Sequence, residues 1–174
     1  MPVGKVLRID KSKITDNQKS KLRKFTVLKE KCSSVAENLN DNLRSFLTQY
    51  YENDKQSKHI NNLSFSELRD CLSDILKKDN RFFSIEGLLM PEQRKSFRRL
   101  FADFITDRNI YTHGKLCLRL DDDSIFLFYA KRNRDGLWGC IINEDIVDSY
   151  FKTYTYISDI IGKMLVRLNA KTRT

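Results

Sequence analysis

Early in the chain, apolar side chains recur at steps of three and four: Leu22, Phe25, Leu28, Cys32, Val35, Leu39, Leu43, Phe46 and Tyr50. On a helix turning 3.6 residues at a time, that spacing collects them on one face. No Gly or Pro interrupts the stretch, so one long helix is predicted, with Asp16 as its N-cap. Ser33-Ser34 and Asn38–Asn42 are weak points where it bends or breaks, because Ser and Asn compete for the backbone's hydrogen bonds. A core helix in a bundle is the simplest role for it, and a coiled-coil arm is the alternative. Glu52–Asn62 is polar and reads as a loop carrying His59. Ser64-Phe65-Ser66-Glu67 then has the order of a capping box. The helix it opens carries Phe65, Leu68, Cys71, Leu72, Ile75 and Leu76 on one side and ends at Lys77-Lys78-Asp79-Asn80, its lysines near the negative end of the dipole.

Arg81–Met90 reads as a connector with Phe82, Phe83, Ile85, Leu88 and Leu89 packed beneath it. Pro91 suits the first turn of a third helix. There Phe97, Leu100, Phe101, Phe104 and Arg108 keep a helical spacing, and Gly114 is placed to cap the end. Arg94, Lys95, Arg98 and Arg99 lie off that stripe and form a basic face, ordinarily a solvated one, with a phosphate track as the functional alternative. After Gly114 the period changes to two. Leu116, Leu118 and Leu120 alternate with Cys117, Arg119 and Asp121, and Asp121-Asp122-Asp123-Ser124 marks a turn rather than a cation loop. Ile125–Ala130 is a strand by length and aromatic content, Asn133-Arg134-Asp135-Gly136 is a hairpin turn, and Leu137–Ile142 returns. A three-stranded antiparallel sheet over about 116–143 is therefore expected. Asp145 or Asn143 caps a last helix with Ile146, Tyr150, Tyr154, Ile157, Ile161, Met164, Leu165 and Leu168 on its apolar face. At that spacing the tyrosines read as core rather than as a base-stacking set.

The predicted architecture is mainly α: an antiparallel helical bundle with a small antiparallel sheet inserted before the last helix. Residues 1–14 form an arm, residues 15–174 one domain, and Asn169–Thr174 a frayed tail. With 174 residues, 40% of them apolar and 32% charged, the chain is long enough for a single core. No apolar run is long enough to span a bilayer, and the N-terminus lacks the apolar stretch of a signal peptide, so the expected setting is the cytoplasm without a membrane partner. Cys32, Cys71, Cys117 and Cys140 are too widely spaced for a zinc site and read as buried free thiols; no metal and no cofactor is implied. A formal charge of +9, concentrated at Lys11–Lys31, Lys77–Arg99, Lys131–Arg134 and the C-terminus, favours a polyanionic partner. No phosphate-binding glycine loop or nucleophile elbow is present.

One cluster remains. Arg108 ends the apolar stripe of the third helix, and Asn109 and His113 are neighbours one turn apart. An arginine and a histidine at a helix C-terminus are also favourable with the dipole alone. The run Arg108-Asn109-Ile110-Tyr111-Thr112-His113-Gly114 nevertheless resembles the Rx4–6H signature of HEPN domains, and its place at the end of an amphipathic helix late in a small helical chain is similar to theirs. The resemblance covers that motif and the helical pattern around it. It implies a metal-independent endoribonuclease of phage defence or a toxin–antitoxin system, acting as a homodimer, with an antitoxin or activator protein as partner. The alternative it implies is a non-catalytic module that binds RNA or protein. Arg108, Asn109 and His113 would be the catalytic residues: His113 as acid and base, since imidazole titrates near neutral pH, Arg108 on the phosphate oxygens, and Asn109 holding the imidazole or a phosphate oxygen. Lys115 stands where some toxins of the family carry a modifiable tyrosine, and Tyr111 is not its equivalent, which speaks against a nucleotidyltransferase antitoxin.

Overall fold

The structure is a computed structural model that describes residues 14–52, 57–130 and 136–170. The expected N-terminal arm up to Lys13, the hairpin residues Asn133-Arg134-Asp135 and the tail beyond Ala170 lie outside the described residues. The elements in order are α1 (Asp16–Tyr50), a single turn α2 (Ser57–Ile60), α3 (Phe65–Lys78), a 3-10 turn (Asn80–Phe82), α4 (Pro91–His113), β1 (Lys115–Leu118), β2 (Ile125–Ala130), β3 (Leu137–Ile142) and α5 (Glu144–Ala170). The chain is thus mainly helical, with a three-stranded antiparallel sheet before the last helix. Its described residues fall into two compact units, one made of those up to Ser34 with those from Asp107 to Tyr150, the other of those from Val35 to Thr106 with those from Phe151 onward.

Several local expectations are corrected. α1 runs unbroken through both serines and the asparagines. Its cap is Thr15, not Asp16: the Thr15 hydroxyl accepts from the Gln18 amide at 3.2 Å and Gln18 Oε1 accepts from the Thr15 amide at 3.0 Å, a reciprocal box. The polar stretch after α1 contains the turn α2, anchored by the fully buried Ile60. Leu89, expected beneath the connector, is 50% exposed, while Phe82, Ile85 and Leu88 are buried. In α5 the cap is Asn143, whose Oδ1 accepts from the Ile146 amide at 2.9 Å. Val147 rather than Ile146 turns inward, Ile146 being 45% exposed. α5 also continues to Ala170, two residues into the stretch expected to fray.

In the second unit, Leu39, Leu43, Phe46 and Leu47 of α1, Leu68, Leu72 and Leu76 of α3, and Phe97, Phe101 and Phe104 of α4 are buried almost completely. Phe65 meets Phe101 edge-on at 5.7 Å, and Phe97 meets Tyr156 of α5 at 6.1 Å, geometries that add to the burial itself. The expected capping box at Ser64 is present, with the Glu67 carboxylate accepting from the Ser64 amide at 2.7 Å. Arg44 donates to the carbonyls of Ile60 and Leu63, tying the loop after α2 back to α1. At the end of α3, Asp79 accepts from the Tyr50 hydroxyl at 2.9 Å and from Arg81 Nε at 2.9 Å, and the Arg81 guanidinium lies over the Tyr50 ring at 5.2 Å.

Burial pushes the Asp79 carboxyl up, but the hydrogen bonds from Arg81 and Tyr50 outweigh it and hold the group below its ordinary value. A depressed folded pKa stabilises the fold above the unfolded carboxylate value, near 4. That contribution is lost as pH falls through the folded value. Urea midpoints measured from about pH 6 down to pH 2 are expected to fall more steeply for the native chain than for Asp79→Asn. Parallel curves would show that this carboxylate does not drive acid unfolding.

In the first unit, the sheet has the order β1-β2-β3 with Leu116 opposite Leu127 and Leu127 opposite Cys140. Leu118, Ile125, Leu127 and Ile142 make its buried face. β1 stops at Leu118, short of Leu120, because Asp122 accepts from the Ser124 amide at 3.0 Å and its hydroxyl at 2.6 Å, setting a tight turn. Asp123 takes the left-handed conformation at φ 56°. It is fastened to α1 by Gln18 Nε2 on its carboxylate at 2.6 Å and Lys21 Nζ on its carbonyl at 2.7 Å. The Tyr150 hydroxyl donates to the Cys32 carbonyl at 3.2 Å, joining α5 to α1 within this unit.

Candidate functional site

The sequence motif occupies the last turns of α4, all within the first unit. The helix ends because Gly114, whose amide donates to the Ile110 carbonyl at 2.8 Å, is pressed against β2. A Cβ on Gly114 would sit 2.5 Å from the Ile110 oxygen and 2.6 Å from Leu127 Cγ. Its φ is not positive, so glycine is demanded here by close approach and not by a left-handed cap. The chain then leaves directly into β1. Gly114→Ala is expected to destabilise by about 2–3 kcal/mol through overpacking. Gly162, in α5 with open space where a Cβ would stand, provides the control. There alanine is expected to stabilise by about 0.5–1 kcal/mol. Urea unfolding of the two variants reads both, and equal effects would contradict the packing account.

Arg108 is half-buried and donates from Nη1 to Asn109 Oδ1 at 3.1 Å. Asn109 and His113 are exposed. Because α4 remains helical through His113, Asn109 and His113 lie about 40° apart around its axis, whereas Arg108 and His113 lie about 140° apart. One helix therefore presents the amide and the imidazole together to solvent and turns the guanidinium aside, while the Asn109 side chain is held by that guanidinium.

Behind Arg108 is a buried aromatic pair. The Tyr111 and Tyr150 rings meet at 4.8 Å, each residue is 5% exposed, and the Arg108 charge acts on the Tyr150 phenol. Burial first, then the nearby Cys32, pushes both phenols well above their usual range, with Asp107 adding to it. Neither is a proton donor or acceptor for chemistry near neutral pH, and a buried Tyr111 is closed to modification. Burial likewise pushes Cys32 up to about 12 and raises Cys71, Cys117 and Cys140. All four are free thiols, as the spacing indicated, but only Cys32 is buried, Cys71, Cys117 and Cys140 being half-buried, and none is an activated nucleophile.

Other candidates fall away or narrow. Among the described residues no three His, Cys, Asp or Glu side chains are grouped as metal ligands would be. His59 is an exposed residue of α2. On the basic face of α4, Lys95 and Arg99 are exposed, but Arg94 donates to the Leu88 and Leu89 carbonyls and lies 3.7 Å over the Phe83 ring. Arg98 is turned to the Arg94 carbonyl and the Ser73 hydroxyl. Half of that face is thus engaged in folding. Among the described residues no helix is long and apolar enough to cross a membrane. The sequence reading missed the tyrosine pair behind Arg108; the signal was available in Tyr111, three residues after Arg108 on the inward side of α4. No protein-family model matches the chain, and no curated protein or solved structure matches it either.

Proposed function

We propose that the chain is a HEPN-like helical bundle acting as a metal-independent endoribonuclease, a homodimer that serves phage defence or a toxin–antitoxin system. The observation carrying this reading is the Arg108–Asn109 hydrogen bond at the end of α4 with the exposed His113 imidazole one turn beyond. The charge of +9 supports a polyanionic substrate.

RNA brings its own nucleophile. A histidine removes the proton of the 2′-hydroxyl, and its oxygen attacks the adjacent phosphorus. The bond from phosphorus to the 5′-oxygen then breaks, and a second histidine protonates the leaving oxygen, giving a 2′,3′-cyclic phosphate and a 5′-hydroxyl. One imidazole does not serve both ends of one displacement, so His113 of a second copy is the natural acid. The two-fold arrangement also answers the angular divergence on α4, because Arg108 of either copy is then available to the phosphate that His113 addresses.

The same divergence favours a second reading, a non-catalytic module that binds RNA or protein and in which Arg108 is a structural neighbour of Tyr150. Incubating the purified chain with total RNA in EDTA, followed by end-group analysis, separates the two. Cyclic phosphate and 5′-hydroxyl ends support the nuclease. A folded chain that binds RNA and leaves it intact supports the module.

A further inference from the structure

The outward face of the sheet departs from the usual alternation. An antiparallel sheet with one packed face ordinarily turns polar side chains to water. Here the residues that share the face opposite to Leu118, Ile125, Leu127 and Ile142 are Lys115 and Cys117 of β1, Phe126, Phe128 and Ala130 of β2, and Gly139 and Ile141 of β3. Ile141 is 52% exposed, Phe126 and Phe128 are half-buried, and Lys115 is exposed. The two phenylalanine rings are nearly parallel, 12° between planes and 5.9 Å between centroids.

We infer that this face is a stacking platform for the bases of single-stranded RNA. Four features argue for nucleobases over an apolar protein surface. The rings are parallel, so flat partners stack on both in one orientation. Phe128 has Gly139 as its partner on β3, so no side chain stands directly opposite its ring on that strand. On its other flank stands Lys115, and just past the end of β1 comes the exposed Arg119, its Asp121 and Asp122 contacts at 3.6 and 3.7 Å being solvent-exposed and weak. Cations flanking an aromatic pair suit a phosphate backbone running beside stacked bases. Finally, Lys115 is two residues from His113, so Phe128 and His113 have Cα atoms at most about 13 Å apart along that path. A strand held on the platform is thereby delivered to the imidazole. The proposal rests on the ribonuclease reading for its consequence, but the binding itself does not.

The test is fluorescence anisotropy of the full chain with labelled short oligo(U) and the matching duplex, in EDTA, using His113→Ala to prevent turnover. Phe126→Leu/Phe128→Leu keeps the face apolar and removes both π faces; Trp138 fluorescence reports whether the sheet survives. Stacking of about 1–3 kcal/mol per base corresponds to about a 5- to 150-fold weaker Kd per ring lost. The expected result is at least about a tenfold loss of oligo(U) affinity in the folded double variant, a smaller loss for Lys115→Ala, and no change for the duplex. Unchanged oligo(U) affinity in the folded variant overturns the proposal. So does sedimentation showing that the same substitutions turn a dimer into a monomer without altering RNA binding, which assigns the face to a second copy. Ring-dependent binding by a wild-type chain that cleaves nothing upholds the platform and removes the nuclease. Cleavage lost in His113→Ala but untouched in the leucine variant does the reverse.

Discussion

His113→Ala is expected to lower the rate of RNA cleavage by at least about a hundredfold, the usual scale for losing a positioned acid or base. Thermal unfolding should barely move, since the side chain is exposed and terminal on α4. Arg108→Ala is expected to reach a similar loss by a different route. Its guanidinium is half-buried and bonded to Asn109, so truncation also removes packing and about 1–2 kcal/mol of stability. Arg108→Lys separates the two contributions: it keeps the charge but not the planar fork, so it recovers stability better than rate. If two copies of His113 serve one phosphate, a mixed dimer of native and His113→Ala chains is inactive. Adding excess His113→Ala chain to the native chain, with time for subunit exchange, should then depress activity below simple dilution. Activity that scales with the native chain alone would dismiss the shared site, and a His113→Ala chain that cleaves normally would dismiss the nuclease.

The largest expected effect on folding is at Phe82→Ala, about 3–5 kcal/mol. Phe82 is fully buried in the 3-10 turn after α3. Its ring meets Phe46 edge-on at 5.8 Å and Tyr50 at 6.2 Å, and the Arg81 guanidinium lies 5.6 Å from its centre. Alanine leaves a phenyl-sized void among groups already fixed by the Asp79 hydrogen bonds, which restrict how far the turn can collapse. Urea denaturation should show a lower midpoint with an unchanged slope. A loss below about 1 kcal/mol would mean that the turn closes over the void.

The helices and the sheet were readable because periods of 3.6 and 2 are properties of the sequence alone. The inward phase of a helix was less so. Ile146 and Val147 both stand at helical distance from Tyr150, and only the start set by Asn143 decides which turns in. Ala36 and Leu47 are fully buried yet fell outside the predicted stripe of α1, since a helix enclosed by neighbours buries more than one row. Thr15 displaced Asp16 because Gln18 completes the reciprocal box at that register. At the candidate site, the motif's position was legible and its geometry was not. Arg108, Asn109 and His113 are close in sequence, but an unbroken helix through His113 sends the guanidinium and the imidazole apart. The platform was hidden for a related reason: Ile125–Ala130 is apolar at every position, so the string conceals that its alternate phenylalanines face away from the core.

The contact between Gly114 and Leu127 has a consequence for how such a chain changes over generations. Volume at the two positions is coupled: Gly114→Ala combined with Leu127→Ala should cost less than the sum of the two single changes, while the approach to the Ile110 carbonyl and the loss of the buried Leu127 side chain keep the double variant below the native chain. The two positions, one just past the end of α4 and the other in the middle of β2, would then vary together in any set of descendants.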